Sequence, residues 1–133
     1  MRFMMIVKAT KDSEAGTLPD EKLLDDMAKF NEEMVKAGVM LAGEGLQPSS
    51  KGARVRFAGG KPTVTDGPFT GTQDLVSGFW LIRVKTKDEA GQWAKRVPFQ
   101  EGEIEIRQVS ELEDFGSSPA VERHARLQEQ MKK

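Results

Sequence analysis

The apolar positions fall into two periods. From Phe3 to Val7 both faces of an extended segment are apolar, with Phe3, Met5 and Val7 on one and Met4 and Ile6 on the other. A strand apolar on both sides predicts a central place in a sheet. Val76 to Val84 repeats the pattern: Val76, Trp80, Ile82 and Val84 point one way, Phe79 and Leu81 the other. Glu103 to Val109 alternates Ile104 and Ile106 with Glu105 and Arg107, the mark of an edge strand with one wet face. Val39 to Leu46 reads as a further strand, weakened by Gly43 and Gly45. Ala53 to Ala58 and Lys61 to Thr65 flank Gly59-Gly60, a two-residue hairpin signal, and Val55 and Phe57 alternate with Arg54 and Arg56 as in a half-solvated ribbon.

The other period is helical. Leu23, Met27, Phe30 and Met34 make one apolar stripe. Pro19 suits the first position of that helix, Asp20 and Glu21 suit its positive end, and Gly38 suits a left-handed cap. Thr86 with Glu89 matches a capping box opening a helix that carries Ala90, Trp93, Ala94 and Val97 and stops at Pro98. Lys11 to Thr17 reads as a loop. Beyond Val109 the chain turns acidic and linker-like, and Ser118-Pro119 opens a short helix running to about Met131 with a thin apolar side of Val121, Ala125 and Met131.

The resulting order is β-α-β-(hairpin)-β-α-β. It predicts an α+β fold: a ferredoxin-like βαββαβ unit with an antiparallel sheet and an extra β-hairpin. The division expected is one domain over residues 1–109, then an acidic linker and short C-terminal helix over 110–133. This topology puts the first and third core strands in the middle, and those are the two strands apolar on both faces. Two helices cover only one face of such a sheet. The other apolar face needs a cover, and an identical face from a second copy supplies it, so a sheet-on-sheet homodimer is expected.

Composition narrows the function classes. The chain has 133 residues, a net charge of −1 from 20 basic and 21 acidic residues, and no cysteine. It is long enough to bury roughly two thirds of its unfolded surface. Without cysteine there are no disulfides or thiolate metal sites. The even charge balance argues against nucleic-acid binding. No apolar run approaches the roughly 20 residues a membrane-spanning helix needs. The first residues lack a signal-peptide pattern, and a cytoplasmic location is expected.

Candidate chemistry gathers at few places. Asp66 lies between Thr65 and Gly67-Pro68-Phe69, a carboxylate fixed between the freest and the stiffest backbone residues. It can act as a general acid or base, or it can simply accept backbone N–H bonds within its own turn. Glu44 shares a period-two face with Met40, Ala42 and Leu46, so it is either desolvated in a pocket or held in an ion pair. Phe69, Phe79 and Trp80 are candidates to line a pocket near Asp66, or are plain core. Arg83 shares a face with Phe79 and Leu81 and can pair with either acid. The one histidine, His124, lies in the weak C-terminal helix, and a single histidine makes no metal site. Gly43-x-Gly45 and Gly59-Gly60 lack the strand–GxGxxG–helix context of nucleotide folds.

Three segments together resemble a family. Ala42-Gly43-Glu44-Gly45-Leu46 with Pro48, Val64-Thr65-Asp66-Gly67-Pro68-Phe69, and Ser77-Gly78-Phe79-Trp80-Leu81-Ile82 look like the YCII-related, or DGPF-domain, proteins. The resemblance covers roughly Met1 to Val109. It implies a dimeric α+β barrel and a pocket near the turn that holds Asp66; separately, no bound cofactor is expected. Some members pair a histidine with that aspartate and are proposed enzymes; this chain has no histidine in its core. Others are encoded beside extracytoplasmic-function sigma factors, which implies a regulatory role. Two expectations follow. One is a protein that binds a small organic molecule through Glu44, Phe69, Phe79, Trp80 and Arg83, tied to sigma-factor-linked regulation. The other is a cofactor-independent enzyme with Asp66 as its acid or base.

Overall fold

A computed structural model describes residues 1–132. Apart from α1, the six strands and four helices follow the predicted order: β1 Arg2–Lys8, α1 Lys11–Glu14, α2 Glu21–Lys36, β2 Met40–Gly45, β3 Ala53–Ala58, β4 Lys61–Asp66, β5 Val76–Arg83, α3 Lys87–Lys95, β6 Ile104–Gln108 and α4 Pro119–Met131. Strands β2, β5, β1 and β6 form one antiparallel sheet in that order, so the two strands apolar on both faces are the central pair. The fold is ferredoxin-like, with the hairpin β3–β4 as a separate two-stranded sheet.

One side of the sheet carries the helices and the core. Phe3 lies opposite Ile82, and Met5 lies between Trp80 and Ile106. Against them pack Phe30 and Met34 of α2, Ala90 of α3, and Val97. Phe3, Met5, Met34 and Ile82 are fully buried. The Trp80 ring meets Phe30 edge-on, with centroids 5.5 Å apart. Burial of side chains this size supplies about 1.5–3 kcal/mol each before entropy is charged against it.

Local chemistry explains where the elements begin and where they depart from expectation. Helix α2 starts at Glu21 because the Asp20 side chain caps it, accepting from Leu23 N at 2.8 Å; Pro19 therefore lies just outside rather than at the first helical position. Gly38 ends it at φ 73°, as expected. Lys11–Glu14 is a turn of helix instead of loop. Thr10 Oγ1 accepts from Ser13 N while Ser13 Oγ accepts from Thr10 N, a reciprocal cap too short-ranged to show in the apolar pattern. Thr86 caps α3, but the Glu89 carboxylate takes Lys85 N–H at 2.9 Å rather than that of Thr86.

Two departures reshape the exposed surfaces. Strand β2 has a register shift between Met40 and Ala42. Met40 consequently packs on the core, while Ala42 and Glu44 face the other side, so the single period-two face through Met40 does not exist. The hairpin turns at Gly59 and Gly60, both with positive φ as its tight turn requires. Every residue of β3 and β4 is exposed, where half-solvation was expected, because the ribbon stands away from the body. Among the described residues no helix is long and apolar enough to cross a membrane.

Candidate functional site

The side of the sheet opposite the helices is open. Two rows of side chains cross all four strands on it. One is Glu44, Phe79, Ile6 and Glu105; the next is Ala42, Leu81, Met4 and Arg107. The four large apolar residues are only half-buried, whereas their neighbours Phe3, Met5, Trp80 and Ile82 are buried. Charge frames the apolar centre. Glu44 stands exposed at the β2 edge. At the β6 edge Glu105 takes Arg107 at 3.2 Å and Lys8 at 3.9 Å. At one end of the face Arg83 lies directly opposite Arg2, whose guanidinium is held by Glu111.

The turn that follows β4 is fixed from outside itself. Its anchor is the 3-10 turn Ser49–Lys51. Gly67 N donates to Gly52 O at 3.0 Å, and Phe69 N donates to Ser49 Oγ at 2.9 Å. Ser49 N in turn donates to the Glu14 carboxylate, 2.9 Å from Oε2. Gly67 lies so close to the Ser49 carbonyl that a Cβ would overlap it. The Arg54 guanidinium sits 3.9 Å from the centroid of the Phe69 ring, and the Gly67–Pro68 peptide is cis. These contacts use backbone groups, Ser49 and Arg54, and leave the exposed Asp66 carboxylate out. Glu14, Ser49 and Arg54 thus position the turn. Nothing in a single sequence links Ser49 to Phe69, twenty positions on.

The structure separates the predicted site residues into three places. Glu44 and Phe79 are direct cross-strand neighbours on the open face. Asp66 and Phe69 lie at the base of the hairpin. Trp80 belongs to the helix side, where its Nε1 donates to Asn31 Oδ1 at 2.9 Å, so within one subunit it does not share a wall with Phe79. Arg83 is exposed at the end of β5. Two concavities lie elsewhere: a groove near Lys8, Asp74, Glu103 and Glu105, and another near Val97, Phe99 and Ile106. Among the described residues no group of three or more His, Cys, Asp or Glu side chains converges as metal ligands do. His124 is exposed on α4.

Comparison with known proteins bears on the whole assembly of elements. An uncharacterised protein of Rhizobium meliloti (strain 1021) is 33% identical over 76 residues, which are 57% of this chain and 61% of that protein. The match therefore spans about three fifths of the relative's length. A solved structure, 5-chloro-2-hydroxyhydroquinone dehydrochlorinase from Burkholderia phenoliruptrix AC1100 in complex with 2,5-dihydroxybenzoquinone, is 13% identical with a TM-score of 0.43, covering 83% of this chain and 94% of that one. The family model of the YCII-related domain matches residues 1–113, from the first strand past the last and through the Asp66 turn, and the chain belongs to that family.

Proposed function

We propose that the protein is a homodimer that binds a small organic molecule beside the Asp66–Phe69 turn, in a site completed where two open sheet faces meet. The observation that carries this is the open face itself. Met4, Ile6, Phe79 and Leu81 are half-buried in one subunit, and a contiguous apolar face of this kind marks an interaction site. Carboxylates at both edges, Glu44 and Glu105, add the few polar groups that orient a ligand in an apolar cleft. Phe69 and the Asp66 carboxylate belong to the same end of the sheet as Glu44, since β3 follows from β2 and the chain after β4 returns to the start of β5. A regulatory role, in which ligand occupancy is read by the sigma-factor system implied by family resemblance, fits a binding protein of this kind.

A second reading keeps Asp66 as general acid or base in a cofactor-independent reaction. It is favoured by one observation: the turn is fixed without the Asp66 carboxylate, which stays available to a ligand. With no core histidine as partner, a proton would pass between Asp66 and water or substrate.

A thermal-shift screen of small carboxylic acids and aromatics on wild type and Asp66→Asn tests both readings. A ligand that stabilises wild type and loses its effect in Asp66→Asn supports a site at the turn. Consumption of that ligand by wild type alone favours the enzyme. A ligand that stabilises both proteins equally removes Asp66 from the site.

A further inference from the structure

Every strand residue of the hairpin is exposed, with Arg54 over Phe69 at the base. Its pairing sets Val55 opposite Val64 and Phe57 opposite Pro62, which makes one face apolar; Phe57 is 73% exposed and Val64 is 64% exposed. The other face holds Arg54, Arg56, Thr63 and Thr65, with Lys61 beside the tip. From Lys51 to Lys61 the segment has four cations and no acid. The ribbon is no loose flap, since Gly67, Phe69, Ser49 and Arg54 lock its base.

An acidic groove occupies the same end of the sheet. It is a concavity of about 630 Å³ whose walls include Asp74, Glu103 and Glu105 against the single cation Lys8. The antiparallel registers place the end of β1 at Lys8, the start of β5 at Val76 and the start of β6 at Ile104 together, along with the end of β2 at Gly45. The hairpin leaves from β2 and returns to β5 at this end, yet none of its residues lines the groove. A cationic arm and an anionic groove therefore coexist on one chain without touching.

One two-fold arrangement of the proposed sheet-face dimer would bring them together. A two-fold axis that runs parallel to the strands between two open faces keeps like ends adjacent. It also sets the β2 edge of one subunit against the β6 edge of the other. The hairpin follows β2 and the groove borders β6, so each arm falls over the other subunit's groove.

We infer that the hairpin Ala53–Asp66 is an intersubunit arm: it turns its cationic face, with Arg56 and Lys61, onto the acidic groove of a second copy of this chain. The inference rests on the sheet-face dimer proposed above and adds the axis direction and the contact at its end. Glu105 is already paired with Lys8 and Arg107 in its own subunit, so the arm's cations answer Asp74 and Glu103. Complementary charges at a rim of this kind fix orientation and register more than they add affinity.

Charge reversal on the whole 133-residue chain tests it. One variant carries Arg56→Glu with Lys61→Glu; the other carries Asp74→Lys with Glu103→Lys. All four side chains are exposed, so both variants fold. Sedimentation velocity at low salt should show each variant dimerising roughly tenfold or more weakly than wild type. An equimolar mixture should recover wild-type dimerisation, since in the mixed dimer both arms again meet grooves of opposite charge. Overturning results are two: variants that dimerise like wild type, or a mixture that stays as weak as its components. A wild-type monomer at micromolar concentration instead removes the sheet-face dimer, and this inference with it. The cysteine-free chain allows a second measurement. Arg56→Cys with Glu103→Cys in one chain should form a covalent dimer under oxidised glutathione, and a chain that stays monomeric on a non-reducing gel counts against the arm.

Discussion

Arg2 and Glu111, 109 positions apart, close the sheet against the segment that follows it: Arg2 Nε donates to Glu111 Oε1 at 2.8 Å and Nη2 to Oε2 at 3.0 Å. The two parallel bonds are the geometry in which a guanidinium grips a carboxylate best. Chiefly through that hydrogen bond, Arg2 holds the Glu111 carboxyl below its usual range, and Arg2 itself is raised. Both side chains are part-exposed, so the pair is worth about 1 kcal/mol or less. A depressed carboxylate adds stability that is present above its unfolded pKa and lost as pH falls through its folded one. Glu111→Gln should therefore melt below wild type at pH 7, and the difference should vanish at acidic pH. Melting curves across the acid range check this; a gap that persists at acidic pH means that charge is not the cause.

Two glycines should respond to alanine with opposite signs. At Gly67 a Cβ would overlap the Ser49 carbonyl oxygen, which is backbone and cannot step aside. Gly67→Ala should cost about 1–3 kcal/mol, the usual penalty of overpacking, and loosen the turn. At Gly91, inside α3, a Cβ meets nothing within 4 Å. Gly91→Ala should stabilise by about 0.4–1 kcal/mol, by restricting the unfolded chain. Chemical denaturation of the two variants side by side reads both signs at once.

The Trp80 indole is 4% exposed and spends its one donor on Asn31. Asn31→Ala leaves that N–H without its partner and should cost about 1–3 kcal/mol. Trp80→Phe removes the donor as well, so adding Asn31→Ala to it should cost clearly less than in wild type. A double-mutant cycle that comes out additive would show that the hydrogen bond contributes nothing.

Strand order and core were legible in the sequence because both depend on local periodicity. Strands β1 and β5, apolar on both faces, could only be central, and Gly59-Gly60 could only be a tight turn. The helix stripe of Phe30 and Met34 went where its spacing sent it. What was hidden was nonlocal or a matter of one residue. The irregularity between Met40 and Ala42 turns Met40 into the core and leaves Glu44 outside, and period-two counting has no means to register one extra residue. The partners that fix the Asp66 turn, Glu14, Ser49 and Arg54, come from three separate segments. The Arg2–Glu111 bond likewise joins the two ends of the folded unit.

The open face makes the sharpest prediction, because adjacent residues of one strand should fail in different ways. Ile82 points into the helix side with no exposure, while Leu81 is half-buried on the open side. A charge at Ile82 has no solvent to reach, so Ile82→Glu should unfold the subunit. A charge at Leu81 reaches water in a lone subunit, so Leu81→Glu should keep its secondary structure. In a sheet-on-sheet dimer the two-fold axis brings two such carboxylates into one apolar contact, where both leave water and face each other. Leu81→Glu should then raise the dimer dissociation constant by about a hundredfold or more. Circular dichroism and sedimentation on the same sample separate the outcomes. A folded Leu81→Glu monomer identifies the open face as the dimer contact, and a Leu81→Glu protein that still sediments as a wild-type dimer moves the contact elsewhere.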